Sequence, residues 1–288
     1  MKIEGEVLTQ NYERYYQNRE MKGEDVEVKT DTDIGVSITL SSQVDKNKVI
    51  QGNLSNLGFY TGQIDGNMNS SDSKNAIKNY QKTYGLTETG TMTNQTIGSL
   101  SSVYTAYKKI LDSEELKSIA SRSDCSYDNT QKQNFARTYV FLRYGLGLDA
   151  KQTAGVMGNI NVESHFSTDN AEDKYYPGIH DKSYTYNISD GIGYGLCQWT
   201  HKDRKAGLQN MADSMGVGVK SISAQLAYLR YEVTNNKTYK SAMDEVKKTT
   251  TVEAACSTFR SKFEGPSVTN EAEREEAANA IYSAFKNI

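Results

Sequence analysis

The chain has 288 residues, a net charge of −3 and 36% hydrophobic residues. At about 100–200 residues per domain, this length predicts two domains. The sequence has no basic cluster that could follow a phosphate backbone, which disfavours a nucleic-acid partner, and no run approaches the roughly 20 apolar residues of a membrane span. Its three cysteines are far apart and lack CxxC spacing, which disfavours a disulfide framework and a zinc site.

Residues 1–46 are predicted to form a polar leader that contains a short β-hairpin. Apolar residues alternate with charged or small polar ones at 26–28 and at 34–40, on either side of a turn-like stretch at 29–33. Alternation with a period of two is typical of strands. The leader lacks the apolar region of a secretory signal peptide, so we expect no such signal.

Residues 47–101 are predicted to form a small three-helix domain. A first short helix ends near Leu57, a second covers 73–84 and stops at Gly85, and a third begins near Thr93. The first two helices are joined by a turn-rich loop that ends in Asp-Gly.

This domain resembles the peptidoglycan-binding domain type 1 family over nearly its whole length. The resemblance rests on the motifs Leu57-Gly58-Phe59-Tyr60-Thr61-Gly62, Ile64-Asp65-Gly66, Ala76-Ile77-Lys78-Asn79-Tyr80-Gln81, Tyr84-Gly85-Leu86 and Thr89-Gly90. It implies that bacterial peptidoglycan is the ligand, with Tyr60 and Asp65 as candidate binding residues. The alternative is a helical spacer that has this fold and binds no ligand.

Residues 102–130 are predicted to be a linker that could hold a helix over 104–118 and that ends in a polar stretch at 121–131, where we place the domain boundary. Residues 131–288 are predicted to form a second, mostly helical domain. Asp149 is a candidate N-cap for one of its helices, and the polar, glycine-containing residues 167–194 indicate loops with a small sheet. Apolar residues recur at helical spacing over 135–144, 150–163, 226–233, 252–263 and 277–285.

Glu163 is the candidate general acid. It closes the predicted helix over 150–163 and shares a face with Met157 and Ile160. A carboxyl group held against apolar surface is harder to ionise, and the C-terminal end of a helix also disfavours an anion. Such a group keeps a proton near neutral pH, as a general acid must. The alternative is an exposed glutamate at a helix end.

Residues 191–200, which we call the glycine strip, contain three glycines within five residues. Because glycine lets the backbone approach a ligand closely, the strip could form one wall of a sugar cleft, with Gln198 exposed on it and Asp190 at its rim. Two carboxyl groups that flank a cleft are the minimum that glycoside hydrolysis requires. A plain glycine-rich hairpin is the alternative.

The combination of Glu163-Ser164-His165 with Gly193-Tyr194-Gly195-Leu196-Cys197-Gln198-Trp199-Thr200 resembles the phage tail lysozyme family. It is also similar to the wider group of goose-type lysozymes and lytic transglycosylases. The resemblance covers about residues 131–265. It implies a mainly α, lysozyme-like α+β fold that cleaves the β-1,4 bond between N-acetylmuramic acid and N-acetylglucosamine, with Glu163 as the general acid. We expect neither a metal nor a cofactor.

The second carboxylate is less well defined than the first. Asp190 matches its place in the family only approximately, because the spacing differs by about one residue. Alternatives on the preceding loop are Asp169, Glu172, Asp173 and Asp181. If no carboxylate holds a water molecule, Glu163 could act first as acid and then as base, while the 6-hydroxyl of the sugar attacks. The product would then be the 1,6-anhydro sugar of a lytic transglycosylase.

Several residues near Glu163 and in the glycine strip are candidates for substrate binding. An aromatic ring can stack on a sugar, and four further tyrosines surround this region, at 175, 176, 184 and 186. We expect part of these aromatic residues to support the fold instead. The candidates for substrate binding are His165, Tyr194, Gly195, Gln198 and Trp199.

Two other functions are compatible with the sequence. Cys197 with His165 or His201 would make a cysteine peptidase, although a buried free cysteine is the commoner case. A phage tail component that only binds the wall would not need Glu163. The sequence favours a peptidoglycan hydrolase, either a tail-associated lysin in the virion, with tail or baseplate proteins as partners, or an endolysin released from the host cytoplasm to the wall.

Overall fold

The computed structural model describes residues 43–122, 125–176, 183–265 and 270–288. Within these ranges the chain is mainly helical, as predicted. The α-helices are α1 Gln43–Asn56, α2 Ser71–Tyr84, α3 Asn94–Leu111, α4 Glu114–Ala120, α5 Asn129–Val140, α6 Ala150–Ser164, α7 Lys202–Met215, α8 Ile222–Asn235, α9 Lys237–Val246, α10 Val252–Phe259 and α11 Glu271–Phe285. The one strand ladder in the described ranges pairs β1 Ser121–Arg122 with β2 Cys125–Ser126, antiparallel.

The helix ends follow from the residues at their termini. Ser70 and Thr93 cap α2 and α3 with hydroxyl oxygens that accept a backbone N–H of the first turn. Asp149 and Gln152 exchange side-chain-to-backbone hydrogen bonds at the start of α6, which makes a capping box. Gly85 ends α2 at φ 69°, a left-handed conformation that glycine adopts without steric cost. The N-cap at Asp149 and the stop at Gly85 are therefore confirmed.

Two helices end in a wider turn. α5 continues as a π-helical turn over Phe141–Gly145, and α10 continues as another over Arg260–Glu264. In the second turn the N–H of Gly265 donates to the carbonyl of Arg260, five residues back. A π turn rotates the following side chains relative to an α-helix, and such turns are frequent at functional sites.

Helix α6 is the centre of the larger part of the molecule and packs closely against α10 and α11. Two glycines allow the close approach. A Cβ at Gly155 would lie 2.6 Å from the Cβ of Ala255, and one at Gly158 would lie 2.7 Å from the Cβ of Ala278. Neither gap could hold a methyl group, so both positions require the absence of a side chain.

The three-helix unit of α1, α2 and α3 is joined firmly to the rest of the chain. The Arg137 guanidinium on α5 donates from Nε and Nη2 to the carbonyl oxygen of Asn56, at 2.9 and 2.7 Å. The Asn79 amide donates to the carbonyl oxygen of Met215 at 2.9 Å. Buried apolar residues of both parts belong to one continuous core.

Some predictions differ from the structure, and one concerns residues outside the described ranges. Within residues 102–130, the predicted linker, α3 continues from the three-helix unit, and α4 and the β1–β2 pair follow it, so helix covers much of the range 104–118 where one was expected. The small sheet expected over 167–194 is, in the described part, a single bridge between Ala171 and Tyr194. The predicted hairpin lies in residues 1–42, outside the described ranges. None of the described helices has the length and apolar character needed to cross a membrane.

Candidate active site

Glu163 lies in the last turn of α6, one residue before the helix ends at Ser164. Its side chain is 14% exposed, and its Oε1 accepts a hydrogen bond of 2.6 Å from Nη2 of Arg274. Where the sequence predicted apolar surface around this carboxyl group, the structure places a guanidinium. Glu163 is shielded at the end of a buried helix, as predicted. The group in contact with its carboxyl oxygen, however, is a guanidinium and not the predicted apolar surface.

Arg274 is held in place from α6. Its side chain on α11 is 4% exposed, and its Nη1 donates to Oδ1 of Asn159 at 3.1 Å. Asn159 precedes Glu163 by one helical turn and donates through Nδ2 to the carbonyl oxygen of Cys256 on α10, at 3.0 Å. Three helices therefore fix the position of the guanidinium, which in turn fixes one oxygen of Glu163.

A second acidic side chain, Glu264, lies close to Glu163. It ends the π-helical turn after α10, and its Oε1 is buried and accepts no hydrogen bond from the residues that the structure describes. Burial, followed by the negative charge of Glu163, raises the pKa of Glu264 well above its usual range, and Arg204 and Arg274 oppose this rise. Glu264 was not among the residues predicted from the sequence.

Next to Glu163 and Glu264, Arg204 on α7 and Glu232 on α8 form a buried ion pair. Arg204 Nε donates to Glu232 Oε1 at 2.8 Å, and Nη2 donates to Oε2 at 3.0 Å. The Trp199 indole N–H donates to the same Oε2 at 2.8 Å. Glu232 is thus fully engaged, and the ring of Trp199 is tied to the interior of the protein.

The glycine strip lies against the C-terminal end of α6, as the sequence predicted. The Ser164 hydroxyl donates to the carbonyl oxygen of Leu196 at 3.0 Å. The N–H of Gly195 and the Gln198 side-chain amide both donate to the carbonyl oxygen of Asn170, at 2.8 and 3.2 Å. Asn170 in turn donates to the carbonyl oxygen of Glu163. The strip and the glutamate are therefore parts of one structure.

Residue 195 must be glycine because the Gln225 side chain leaves no room for a Cβ there. It has φ 74°, and a Cβ there would lie 2.7 Å from both terminal atoms of the Gln225 side-chain amide. The Gln225 amide also accepts the N–H of Leu196 at 2.9 Å and donates to the carbonyl oxygen of Thr168 at 2.7 Å. The glycine was predicted to approach a ligand, whereas in this structure it makes room for the amide that holds the strip.

Asp190 lies at the rim of the strip and forms an ion pair. Its Oδ1 accepts a hydrogen bond of 2.6 Å from Nζ of Lys205, whose side chain is 0% exposed, and its Oδ2 accepts one of 2.7 Å from the Tyr184 hydroxyl. Burial acts to raise the pKa of Asp190, but the hydrogen bonds from Lys205, the Ile192 N–H and Tyr184 outweigh it, so the pKa lies below its usual range. Asp190 is therefore an anion that stabilises a buried lysine.

The other acidic candidates have different surroundings. Glu172 Oε2 accepts the N–H of Gly193 at 3.3 Å, so this carboxylate touches the glycine strip. Asp169 accepts the Ser167 hydroxyl at 2.8 Å, and Asp173 is exposed. Asp181 lies outside the described residues. The Glu172 carboxylate therefore contacts the strip directly.

Three of the aromatic candidates are too buried to stack on a sugar, which corrects the sequence prediction. Trp199 is 0% exposed and bonded to Glu232. Tyr194 packs edge-on against Tyr186, with ring centroids 4.9 Å apart, and Tyr60 is buried with its hydroxyl donated to the Gln63 carbonyl oxygen. The polar atoms of Trp199 and Tyr60 therefore bond internal partners. Tyr175 by contrast is 52% exposed.

The remaining candidates keep accessible surface. Gln198 and His165 are half-buried, and both have left-handed backbones, with φ 44° and 50°. Asp65 in the three-helix unit is exposed. Hydrogen bonds from the Asn67 N–H and the Gln51 amide lower the pKa of Asp65, so this side chain is an anion at the surface of the loop.

Cys197 does not provide a peptidase nucleophile. It is buried and free, and burial raises the pKa of its thiol well above the usual range. A catalytic cysteine needs a thiol that is both accessible and readily ionised, and the Cys197 thiol is neither. Cys256 is likewise buried and free.

The residues that the sequence analysis missed are Glu264, Arg274, Arg204 and Glu232. Arg274 lies in the acidic stretch 271–276, and Glu264 directly follows the apolar stripe of α10. A charged residue next to an apolar stripe is ordinarily exposed. Glu264 directly follows the buried Phe263 at the end of the π turn, and this turn is not readable from apolar spacing.

Two family models match the chain. The phage tail lysozyme model matches residues 133–285, and a peptidoglycan-binding domain model matches residues 45–100. No curated protein and no solved structure matches. The first match spans more than half of the chain and includes Glu163, Arg274, Glu264 and the glycine strip. The chain therefore belongs to the phage tail lysozyme family, and it is a lysozyme-like protein that acts on peptidoglycan and carries a peptidoglycan-binding domain.

Proposed function

We propose that this protein hydrolyses the β-1,4 glycosidic bond between N-acetylmuramic acid and N-acetylglucosamine, with Glu163 as the general acid. The observation that carries the proposal is the placement of Glu163. A shielded carboxyl group at the end of α6 is fixed through one oxygen by Arg274 and stands beside the glycine strip. No described residue donates a hydrogen bond to its second oxygen, Oε2, so this oxygen is available to a substrate.

In the proposed reaction, Glu163 gives its proton to the glycosidic oxygen while the bond from this oxygen to C1 of the muramic acid breaks. A water molecule forms the new bond to C1 and gives up one proton. That proton restores the protonated enzyme, so the net reaction adds one water across the bond. Arg274 and Asn159 contribute by holding the carboxyl group in a single orientation.

The state of Asp190 favours a second candidate, the lytic transglycosylase reaction. A carboxylate already paired with Lys205 and Tyr184 is poorly suited to activate water. In this alternative the 6-hydroxyl of the muramic acid attacks C1, and Glu163 accepts the hydroxyl proton after donating its own. The products distinguish the two reactions, because hydrolysis leaves reducing ends and transglycosylation leaves 1,6-anhydro ends.

We further propose that the three-helix unit binds the wall near the catalytic part of the same molecule. Arg137 and Asn79 join the two parts by hydrogen bonds to backbone carbonyls, so the distance between a bound strand and Glu163 would be nearly constant. Delivery from a virion tail and release as an endolysin both remain proposals for how the protein reaches its substrate.

The test is Glu163→Gln, which keeps the size of the side chain and removes the proton. Lysis of purified peptidoglycan should fall by about 10²–10⁴-fold, the usual worth of a general acid. Glu273→Gln is the matched control, since Glu273 is exposed in the first turn of α11. Mass spectrometry of the wild-type digest should show reducing muramic acid ends. Undiminished lysis by Glu163→Gln would exclude Glu163 as the acid, and wild-type protein that sediments with the wall without cutting it would identify a binding component.

A further inference from the structure

A general acid must hold a proton at the pH at which it works, whereas a neighbouring cation favours the ionised form of a carboxyl group. The direct partner of Glu163 in the described part of the chain is the cation of Arg274, at 2.6 Å. An apolar pocket, as in the sequence prediction, would keep the carboxyl group neutral. A proton kept near Glu163 must therefore depend on the other charged side chains around Glu163 and Arg274.

The fold brings a second carboxyl group to the same end of α6. Helices α6 and α10 run in the same direction, because the Gln152 amide bonds the carbonyl of Thr249 just before α10, and the Asn159 amide bonds the carbonyl of Cys256 within it. Their C-terminal ends therefore lie together. Glu163 ends one, and the π turn after α10 ends at Glu264.

Glu264 has no partner of its own in the described residues. Although part of the side chain reaches the surface, Oε1 is buried and accepts no hydrogen bond there. A buried carboxylate oxygen without a hydrogen-bond donor is unfavourable, and such a group usually neutralises by keeping its proton. A neutral carboxylic acid at Glu264 removes this cost.

The charges that face this carboxyl group come from every helix packed around it. Lys262 on the same turn is engaged elsewhere, with Glu245, and Arg260 binds Glu271. The groups that act on Glu264, or on which it acts, are Glu163 of α6, Arg204 of α7, Glu232 of α8, Tyr239 of α9, Arg274 of α11 and the Cys197 thiol.

The charges in this cluster do not balance if every group is ionised. Glu232 takes both hydrogen bonds that Arg204 offers it. The single guanidinium of Arg274 is then left to face two carboxyl groups, Glu163 and Glu264. Among the five groups Glu163, Glu264, Glu232, Arg204 and Arg274, one retained proton makes the sum of charges zero. Two carboxyl groups that interact electrostatically ionise in two separate steps.

We propose that Glu264 is a positioning residue for the reaction, because the pair Glu163 and Glu264 retains one proton between them and so keeps Glu163 able to act as an acid at neutral pH. This inference rests on the proposed function of Glu163. When the glycosidic oxygen takes the proton from Glu163, the pair is left with two negative charges opposite Arg274, and the proton released from water returns to the pair. Glu264 touches no substrate in this scheme and acts only through Glu163. Its own pKa, raised by burial and by the charge of Glu163, agrees with a proton kept at neutral pH.

The first test uses the wild-type protein and does not depend on activity. The full chain is labelled with ¹³C at the glutamate side-chain carboxyl carbon, and the carboxyl resonances are followed by NMR as the pH rises. One glutamate should titrate at least about one pH unit above the ordinary value of about 4.3. This resonance should be absent in Glu264→Gln and should persist in Glu273→Gln. If every glutamate titrates within the ordinary range, the proposal is overturned.

The second test is the pH profile of peptidoglycan lysis. In Glu264→Gln the loss of activity at alkaline pH should move to lower pH by about one unit or more, since Glu163 no longer interacts with a second carboxyl group. Activity at the acidic end of the profile should stay near the wild-type level. A purely structural role would lower activity equally at all pH values, and that result, or an unmoved alkaline limb, would overturn the proposal. Full lysis by Glu163→Gln would instead refute the proposed function, whatever the NMR titration shows.

Discussion

Replacing Gly158 with alanine should destabilise the protein, although alanine is the better helix former. In an exposed helix the change gains about 1 kcal/mol. At Gly158 the new methyl group would lie 2.7 Å from the Cβ of Ala278 and 2.9 Å from its backbone nitrogen, and it would press on the carbonyl of Arg274. Overpacking of this kind costs about 1–3 kcal/mol, and backbone atoms cannot rotate away, so the upper half of that range applies. The net loss is about 1–2 kcal/mol after the helical gain.

The assay is thermal unfolding followed by circular dichroism. At about 2–4 °C per kcal/mol, Gly158→Ala should lower Tm by about 2–8 °C. Gly98→Ala is the matched control, because Gly98 lies within α3 and a Cβ there meets no atom within 4 Å. The control should raise Tm slightly. Because the clash displaces the helix that carries Arg274, Gly158→Ala should also lower lytic activity. A Tm for Gly158→Ala equal to or above that of Gly98→Ala would refute the packing argument.

Two further predictions concern residues that were expected to bind substrate or water. Trp199→Phe removes the indole hydrogen bond to Glu232 and should lower the free energy of unfolding in urea by about 1.5–3 kcal/mol. The affinity for peptidoglycan fragments should stay unchanged. A weakened affinity without loss of stability would instead identify Trp199 as a sugar-binding residue. Asp190→Asn should lower Tm at neutral pH by loosening Lys205 and Tyr184. The pKa of Asp190 is lower in the folded state than in the unfolded state. The stabilising effect of its charge is therefore complete above about pH 3.9, the pKa in the unfolded state, and is lost as the pH falls through the pKa in the folded state. The Tm difference between wild type and variant should therefore vanish at acidic pH, and a constant difference would contradict this interpretation.

Local sequence signals predicted most of the helices and several of their ends, although α7 and α9 were not predicted. The Asp149 cap with Gln152 three residues later and the stop at Gly85 depend on contacts within one turn. These features are visible in the sequence because the partners are close along it. The juxtaposition of Glu163 with the glycine strip was also predicted, but through the resemblance to a family, since no local rule joins residues 163 and 196.

The tertiary structure decided which side chains face the site. Tyr194 and Trp199 have the composition of sugar-binding residues, yet both rings lie in the interior. Gly195 has the flexibility expected of a ligand-facing glycine, but the Gln225 amide occupies the space beside it. The sequence defines what a side chain can do, whereas its accessibility depends on distant residues that pack against it.

The charge environment of Glu163 was likewise fixed only by the fold. Arg274 lies 111 positions away along the chain, and Glu264 reaches the cluster through a π turn that the apolar spacing of 252–263 does not reveal. Electrostatic effects act over distances in space, and spacing along the chain gives no measure of them. The sequence by itself therefore determined most of the helical scaffold and the candidate general acid. The tertiary structure alone determined the charges around Glu163 and the partner with which we propose it shares a proton.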